Sequence, residues 1–249
     1  MLVLGIDVSD DLLTRWRDWL MPERQPYALA PGRAAELGLT GHIAPLPMEH
    51  RDSFELYALG DDVVVWLTRA EARALPRDVR DAQPGAHRRP SRDDAETLRR
   101  IVAYVESGRR PSRHREPGAE AWRDLAGRLP RAEELAGTFP DASGPNCFGT
   151  VMAAAGVPGA EKVWMQREPF EAWLAERTVP GGSDDEAGSV LVWRDDAGRV
   201  QHAAVTLGGG WAMHKPSQGW MSPTKVLTVR EVKASARTPG RHRRRHRIV

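Results

Sequence analysis

The sequence predicts an α+β protein, and three observations carry that prediction. Segments with apolar residues at helical spacing fill much of the first two-thirds of the chain. Short glycine- and aspartate-rich turns join strand-like runs near the C-terminus. Two basic, proline-containing breaks separate these regions. Tight turns between the C-terminal strands disfavour a parallel βαβ arrangement, which needs long crossovers.

Residues 1–82 read as a small α+β accessory domain. Leu2 to Ile6 is a strand candidate. Asp10 to Leu20 is a helix, with Leu12, Leu13, Trp16 and Leu20 on one face. Five prolines between residues 22 and 50 predict mostly loop, with one short helix at 32–37. The runs 53–59 and 63–67 flank Gly60-Asp61-Asp62 and predict a hairpin. Thr68 and Glu71 have the spacing of a capping box, and Pro76 limits the helix it opens. The basic stretch Gln83 to Arg92 reads as a linker.

A helical connector is expected over 93–136. Leu98, Ile101, Val102 and Val105 form one apolar stripe, and Trp122 and Leu125 face inward on a second helix. Residues 137–236 should form a third region. There a helix near 169–177 precedes strands at 188–193, 200–207, 211–214 and 226–232. The tail, 237–249, holds six arginines, two histidines and no acid, and reads as a disordered extension. The formal net charge is +2, so the tail supplies the basicity of an otherwise acidic chain. A weak, salt-dependent contact with an anionic partner is the functional reading of that tail.

Composition closes off several functions. One cysteine excludes an intrachain disulfide. No CxxC or HExxH occurs, and no GxGxxG or Walker A loop, so no metal or cofactor is expected. The N-terminus lacks the charged and apolar regions of a signal peptide, and no apolar run has membrane-spanning length. A cytoplasmic protein without a membrane partner is the expectation.

The chemistry centres on Pro145-Asn146-Cys147-Phe148-Gly149. Proline and asparagine break regular structure, and the small apolar residues after them predict a helix ending near Gly156. Cys147 then sits at a helix N-terminus, where unpaired N–H groups favour thiolate. His202 opens a downstream strand, and His214 lies one strand later. A thiol, an imidazole and a polar residue that orients it make up a nucleophile, a base and a positioning group.

The order Cys147, His202, His214 resembles the NlpC/P60 branch of the papain-like cysteine peptidases and amidases. The matching pieces are Asn146 to Gly149, Gly188 to Val192, His202 to Gly208 and Met213-His214, within residues 138–233. Phe148 departs from the family, which has Ser or Thr after the cysteine. The resemblance implies a papain-like catalytic domain and a thiol-dependent amide hydrolase that forms a thioester. Trp211, Lys215 and Gln218 are the neighbouring candidates for binding an amide or peptide substrate. An acyltransferase using the same site, or a binding protein with a structural cysteine, is the alternative.

Overall fold

The computed structural model describes residues 1–249. The chain begins with Leu2–Val3 (β1) and Ile6–Asp7 (β2), which pair antiparallel around a Leu4-Gly5 turn. Helix α1 (Asp10–Leu20) follows, capped by the Ser9 side chain, which accepts the Leu12 N–H. It buries Leu12, Leu13, Trp16 and Leu20, the face set by their spacing. Next come β3 (Gln25–Leu29), α2 (Pro31–Glu36), α3 (Met48–Phe54) and β4 (Val63–Leu67). Helices α4 (Arg69–Ala74), α5 (Arg77–Asp81) and α6 (Asp94–Glu106) complete this region.

The molecule divides into two compact units. The first comprises Met1 and Val8–Ser107; the second comprises Leu2–Asp7 and Gly108–Val249. In the first unit, β3 pairs antiparallel with β4, from Gln25 opposite Leu67 to Leu29 opposite Val63. Tyr27, Leu29, Val65, Leu67, Leu75 and Val79 form a core beside this pair. Helix α1 packs against α3 and α6.

Three expectations for this unit are corrected. The hairpin predicted around Gly60 does not form, because Met48–Phe54 is helical and β4 takes β3 as its partner. The 22–50 stretch, expected to be mostly loop, contains β3, and Pro26 sits within that strand, in a sheet of only two strands, where a missing N–H can face away from the ladder. The 83–92 segment is not a free linker. Gln83 exchanges hydrogen bonds with the Ala28 backbone, and the His87 ring stacks on Tyr27 at 4.0 Å.

The second unit adds α7 (Ala119–Leu125), α8 (Ala132–Leu135), α9 (Cys147–Ala154) and α10 (Arg167–Arg177). The strands are β5 (Thr178–Pro180), β6 (Ala187–Arg194), β7 (Val200–Gly208), β8 (Trp211–His214) and β9 (Lys225–Thr228). Helix α11 (Val229–Ser235) and strand β10 (His242–Ile248) end the chain. The six strands form one antiparallel sheet in the order β5-β10-β6-β7-β8-β9. Val190, Val192, Ala203, Val205 and Met213 pack on one face with α7 to α10. On the other, Leu191, Trp193, Ala204, Ala212 and Leu227 pack with Val229 and Val232 of α11.

This unit also departs from expectation at its end. The last predicted strand stops at Thr228, whose side chain caps α11 in a box with Glu231. The tail is an inner strand, not a disordered extension. Arg243, Arg245 and Arg247 stand opposite Trp193, Leu191 and Ser189, and His246 and Ile248 stand opposite Pro180 and Thr178 of β5. Ile248 is anchored in the apolar core, and Asp184 pairs with Arg245 at 2.9 Å. The helices expected in the 93–136 connector form, but α6 belongs to the first unit while α7 and α8 belong to the second. No helix is long and apolar enough to cross a membrane.

Candidate active site

Asn146 sets the start of α9. Its side-chain oxygen accepts the Gly149 N–H at 3.1 Å, and its amide nitrogen donates to the Met165 carbonyl at 2.8 Å. One residue therefore caps the helix and ties it to the chain that follows. All of α9 is buried. Gly149 is required there, because an added Cβ would lie 2.2 Å from the Ala160 carbonyl oxygen. The absent side chain lets the first turn press onto the 3-10 turn Ala160–Lys162.

Cys147 is thus the first residue of a helix whose end is fixed on two sides. The backbone N–H groups of Ala203, Phe148 and Cys147 itself lie near enough to its sulfur to favour the charged form. Ala203 directly follows His202, but the Ala203 side chain lies on the α9 face of the sheet and the His202 ring, against Trp193, on the opposite α11 face. The expected Cys147–His202 pair is therefore corrected: alternation along β7 gives the sulfur the strand's backbone and turns the imidazole away from it. Only 8% of Cys147 is exposed. Burial pushes its thiol up to about 11, against the pull of the three N–H donors and the Lys215 charge. The expectation that the helix end would lower the thiol pKa is corrected: loss of solvent outweighs the dipole.

His202 enters β7 opposite Trp193, with ring centroids 5.3 Å apart. Its Nε2 lies 3.5 Å from His214 Nδ1, a long contact, and the two rings stand nearly perpendicular. The pairing follows from strand geometry. His202 and Ala204 share one face of β7, and His214 shares that face of neighbouring β8 with Ala212. Burial pulls His202 down to about 4, with Arg241 adding to the effect. His214 is held well below the usual range by burial, then by His202 and Lys225. Its Nε2 is buried without a hydrogen-bond partner.

Loop 215–224 binds the segment before Cys147. The Gly144 N–H donates to the Gln218 carbonyl at 2.8 Å, and the Trp220 N–H donates to Ser143 Oγ at 3.1 Å. Within the loop, Lys215 Nζ donates to the carbonyls of Gly219 and Ser222. Two of the substrate-binding expectations change accordingly. Lys215 is 1% exposed and its ammonium fastens a loop while influencing the thiol through space. Trp211 lies at the far end of β8 from His214, with the Arg113 guanidinium 4.7 Å from its ring centre. Gln218 keeps a half-exposed side chain beside the cysteine loop.

Sequence reasoning missed Val163 and Trp164, which are 48% and 47% exposed next to Met165. They form an apolar surface beside the residue that holds Asn146. The apolar run Val163-Trp164-Met165 directly before the Gln166 helix cap was the available signal. Lys225 was missed too, since a lone lysine at a strand start carries no pattern. No cluster of three or more His, Cys, Asp or Glu side chains is arranged to hold a metal ion. The chain matches no protein-family model, no curated protein and no solved structure.

Proposed function

We propose that the second unit is a non-enzymatic binding module in which Cys147 is structural and strand β10 docks an anionic partner. One observation carries this reading. Arg243, Arg244 and Arg247 are exposed on a strand fixed inside the sheet and make no ion pair, while Arg245 and His242 are paired with Asp184 and Asp196. The thiol-dependent amide hydrolase of the NlpC/P60 kind is not favoured, because the His202 and His214 rings lie on the face of the sheet opposite Cys147.

Burial opposes a charge on either group, so Cys147 rests as a thiol and His202 as a neutral imidazole. A sulfur packed among the apolar residues of α7 to α10 acts as a small core side chain. A fixed strand with open guanidinium groups suits an anionic partner, through contacts that weaken with salt.

The test is retention of the full chain on an immobilised polyanion at rising ionic strength, wild type against a variant with Arg243→Ser, Arg244→Ser and Arg247→Ser. Salt-sensitive retention of wild type that the variant loses supports the docking reading, and equal retention rejects it. Wild type and Cys147→Ala compared on amide and γ-glutamyl peptide libraries separate it from the hydrolase: a loss on the order of 10⁴-fold in turnover would restore the enzyme.

A further inference from the structure

Strand β5 covers only part of β10. It stands opposite His246, Arg247 and Ile248, and the chain then leaves the edge at Gly181 and Gly182, both at positive φ. From there the Ser183 N–H donates to Ser189 Oγ, and Asp184 pairs with Arg245 and Lys233. The loop therefore crosses a face of the sheet instead of following β10. His242, Arg243 and Arg244 pair with β6 on one side and with no strand on the other.

The ladder says where the free backbone points. The Gly181 N–H donates to the Arg245 carbonyl at 3.2 Å, and the Val249 N–H donates to the Arg177 carbonyl at 3.1 Å. Odd-numbered residues of β10 thus turn their backbone groups towards the β5 side, and alternation makes Arg243 do the same. Past the end of β5, that puts the Arg243 N–H and C=O on an open edge. The side chains there carry one sign of charge. Arg243 and Arg244 are exposed, make no ion pair and stand on opposite faces of the sheet. Asp184 and Asp196 are already taken by Arg245 and His242.

We infer that the open edge of β10 takes an extended acidic peptide as an added strand, whose backbone bonds the Arg243 N–H and C=O and whose carboxylates pair with the Arg243 and Arg244 guanidinium groups. This rests on the docking reading of β10 and names its partner. An amide edge is completed by amide groups in register, which a peptide offers and a phosphate chain does not. Successive residues of an added strand point to opposite faces, so neighbouring carboxylates meet Arg243 on one face and Arg244 on the other. A second copy of this chain fits badly, because pairing two β10 edges would set arginine against arginine. The same arginines that repel a copy attract an acidic strand.

The test is a fluorescence-polarisation titration of the full chain, at low salt, with a fluorescein-labelled peptide of glutamate pairs separated by valine. The same peptide N-methylated at its backbone amides keeps the charge and loses the donors. Wild type is expected to bind the plain peptide on the order of tenfold more tightly than the N-methylated one. Arg243→Gln should weaken binding, and Arg243→Pro should weaken it further, because proline also removes the edge-facing N–H and is tolerated where that N–H meets solvent. Folding of both is checked by circular dichroism, and the N-methylated peptide tests the edge on wild type whether or not Arg243→Pro folds. Hydrogen exchange followed by NMR should show the Arg243 amide slowed by the plain peptide, which charge pairing alone does not do. Equal affinity for the two peptides, or an unprotected Arg243 amide at saturation, overturns the proposal. So does tighter binding of a single-stranded oligodeoxynucleotide of equal charge, which would make the partner a nucleic acid. If wild type ignores the plain peptide but the polyanion retains it and not the triple arginine variant, the added strand fails and the docking reading stands. Equal retention of those two proteins fails the docking reading itself.

Discussion

At the scale of single residues, burial and hydrogen bonding compete over two proton sites. Three N–H groups and a lysine charge favour thiolate on Cys147, yet burial leaves the thiol near 11. Iodoacetamide should therefore alkylate native Cys147 slowly at pH 7 and faster as pH rises above 9, with urea removing the protection. A labelling midpoint below pH 8 would instead show that these groups outweigh burial. His202 gives an acid-side prediction. Its folded value, about 4, lies below the usual 6.5. The unfolded chain therefore binds more protons between those values, and stability is lost as pH falls from 6.5 towards 4. The shift corresponds to on the order of 3 kcal/mol. Urea midpoints measured at pH 7 and pH 4.5 should drop in wild type and drop less in His202→Gln. Parallel behaviour of the two proteins would count against a buried neutral imidazole.

At the scale of elements, the position of a strand matters more than its composition. Strand β10 carries mostly arginine and histidine, which ordinarily read as solvated chain. Its two neighbours, β5 and β6, need its N–H and C=O groups, and Ile248 fills the core. Removing residues 237–249 should thus open the sheet between β5 and β6. The expected outcome is a fall in Tm of more than 10 °C, or failure to accumulate soluble protein, since several kcal/mol is a large part of a domain's total stability. An unchanged Tm would restore the tail to a dispensable extension. Helix α9 makes a related point. Its Asn146 cap was legible from the break before an apolar run, whereas the close approach to Ala160 that requires Gly149 was not. Such an approach joins residues that no periodicity links.

At the scale of the whole molecule, the division into units follows packing instead of composition. The 83–92 segment has the arginines and prolines of a linker, but Gln83, His87 and Arg88 bond or stack against the first unit. Gly85 lies so close to the Phe54 carbonyl that an added Cβ would sit 2.2 Å from it. Limited trypsin digestion under native conditions should accordingly spare Arg88 and Arg89, because a protease needs a segment that can open locally. Early cleavage at either arginine, read by mass spectrometry, would return the segment to the linker class. Conversely, Leu2–Asp7 belongs with the second unit, where the Ser112 N–H donates to the Leu4 carbonyl at 2.8 Å. Domain limits drawn along the chain therefore miss an exchange at its beginning.

The sequence by itself determined what local rules govern. Apolar spacing made α1 and α6, capping residues began α4 and α9, and tight turns made β6, β7 and β8 neighbours. It also brought His202 and His214 together, because a strand alternates its faces and a tight turn fixes which strand comes next, but the same alternation turns both rings away from Cys147. Only the tertiary structure decided which distant strands pair, β3 with β4 and β10 with β5 and β6, since a ladder of backbone hydrogen bonds leaves little trace in side-chain pattern. It likewise decided how much water reaches the sulfur and the two imidazoles. Solvent exclusion is a sum over every segment packed around a group, and no stretch of sequence contains that sum.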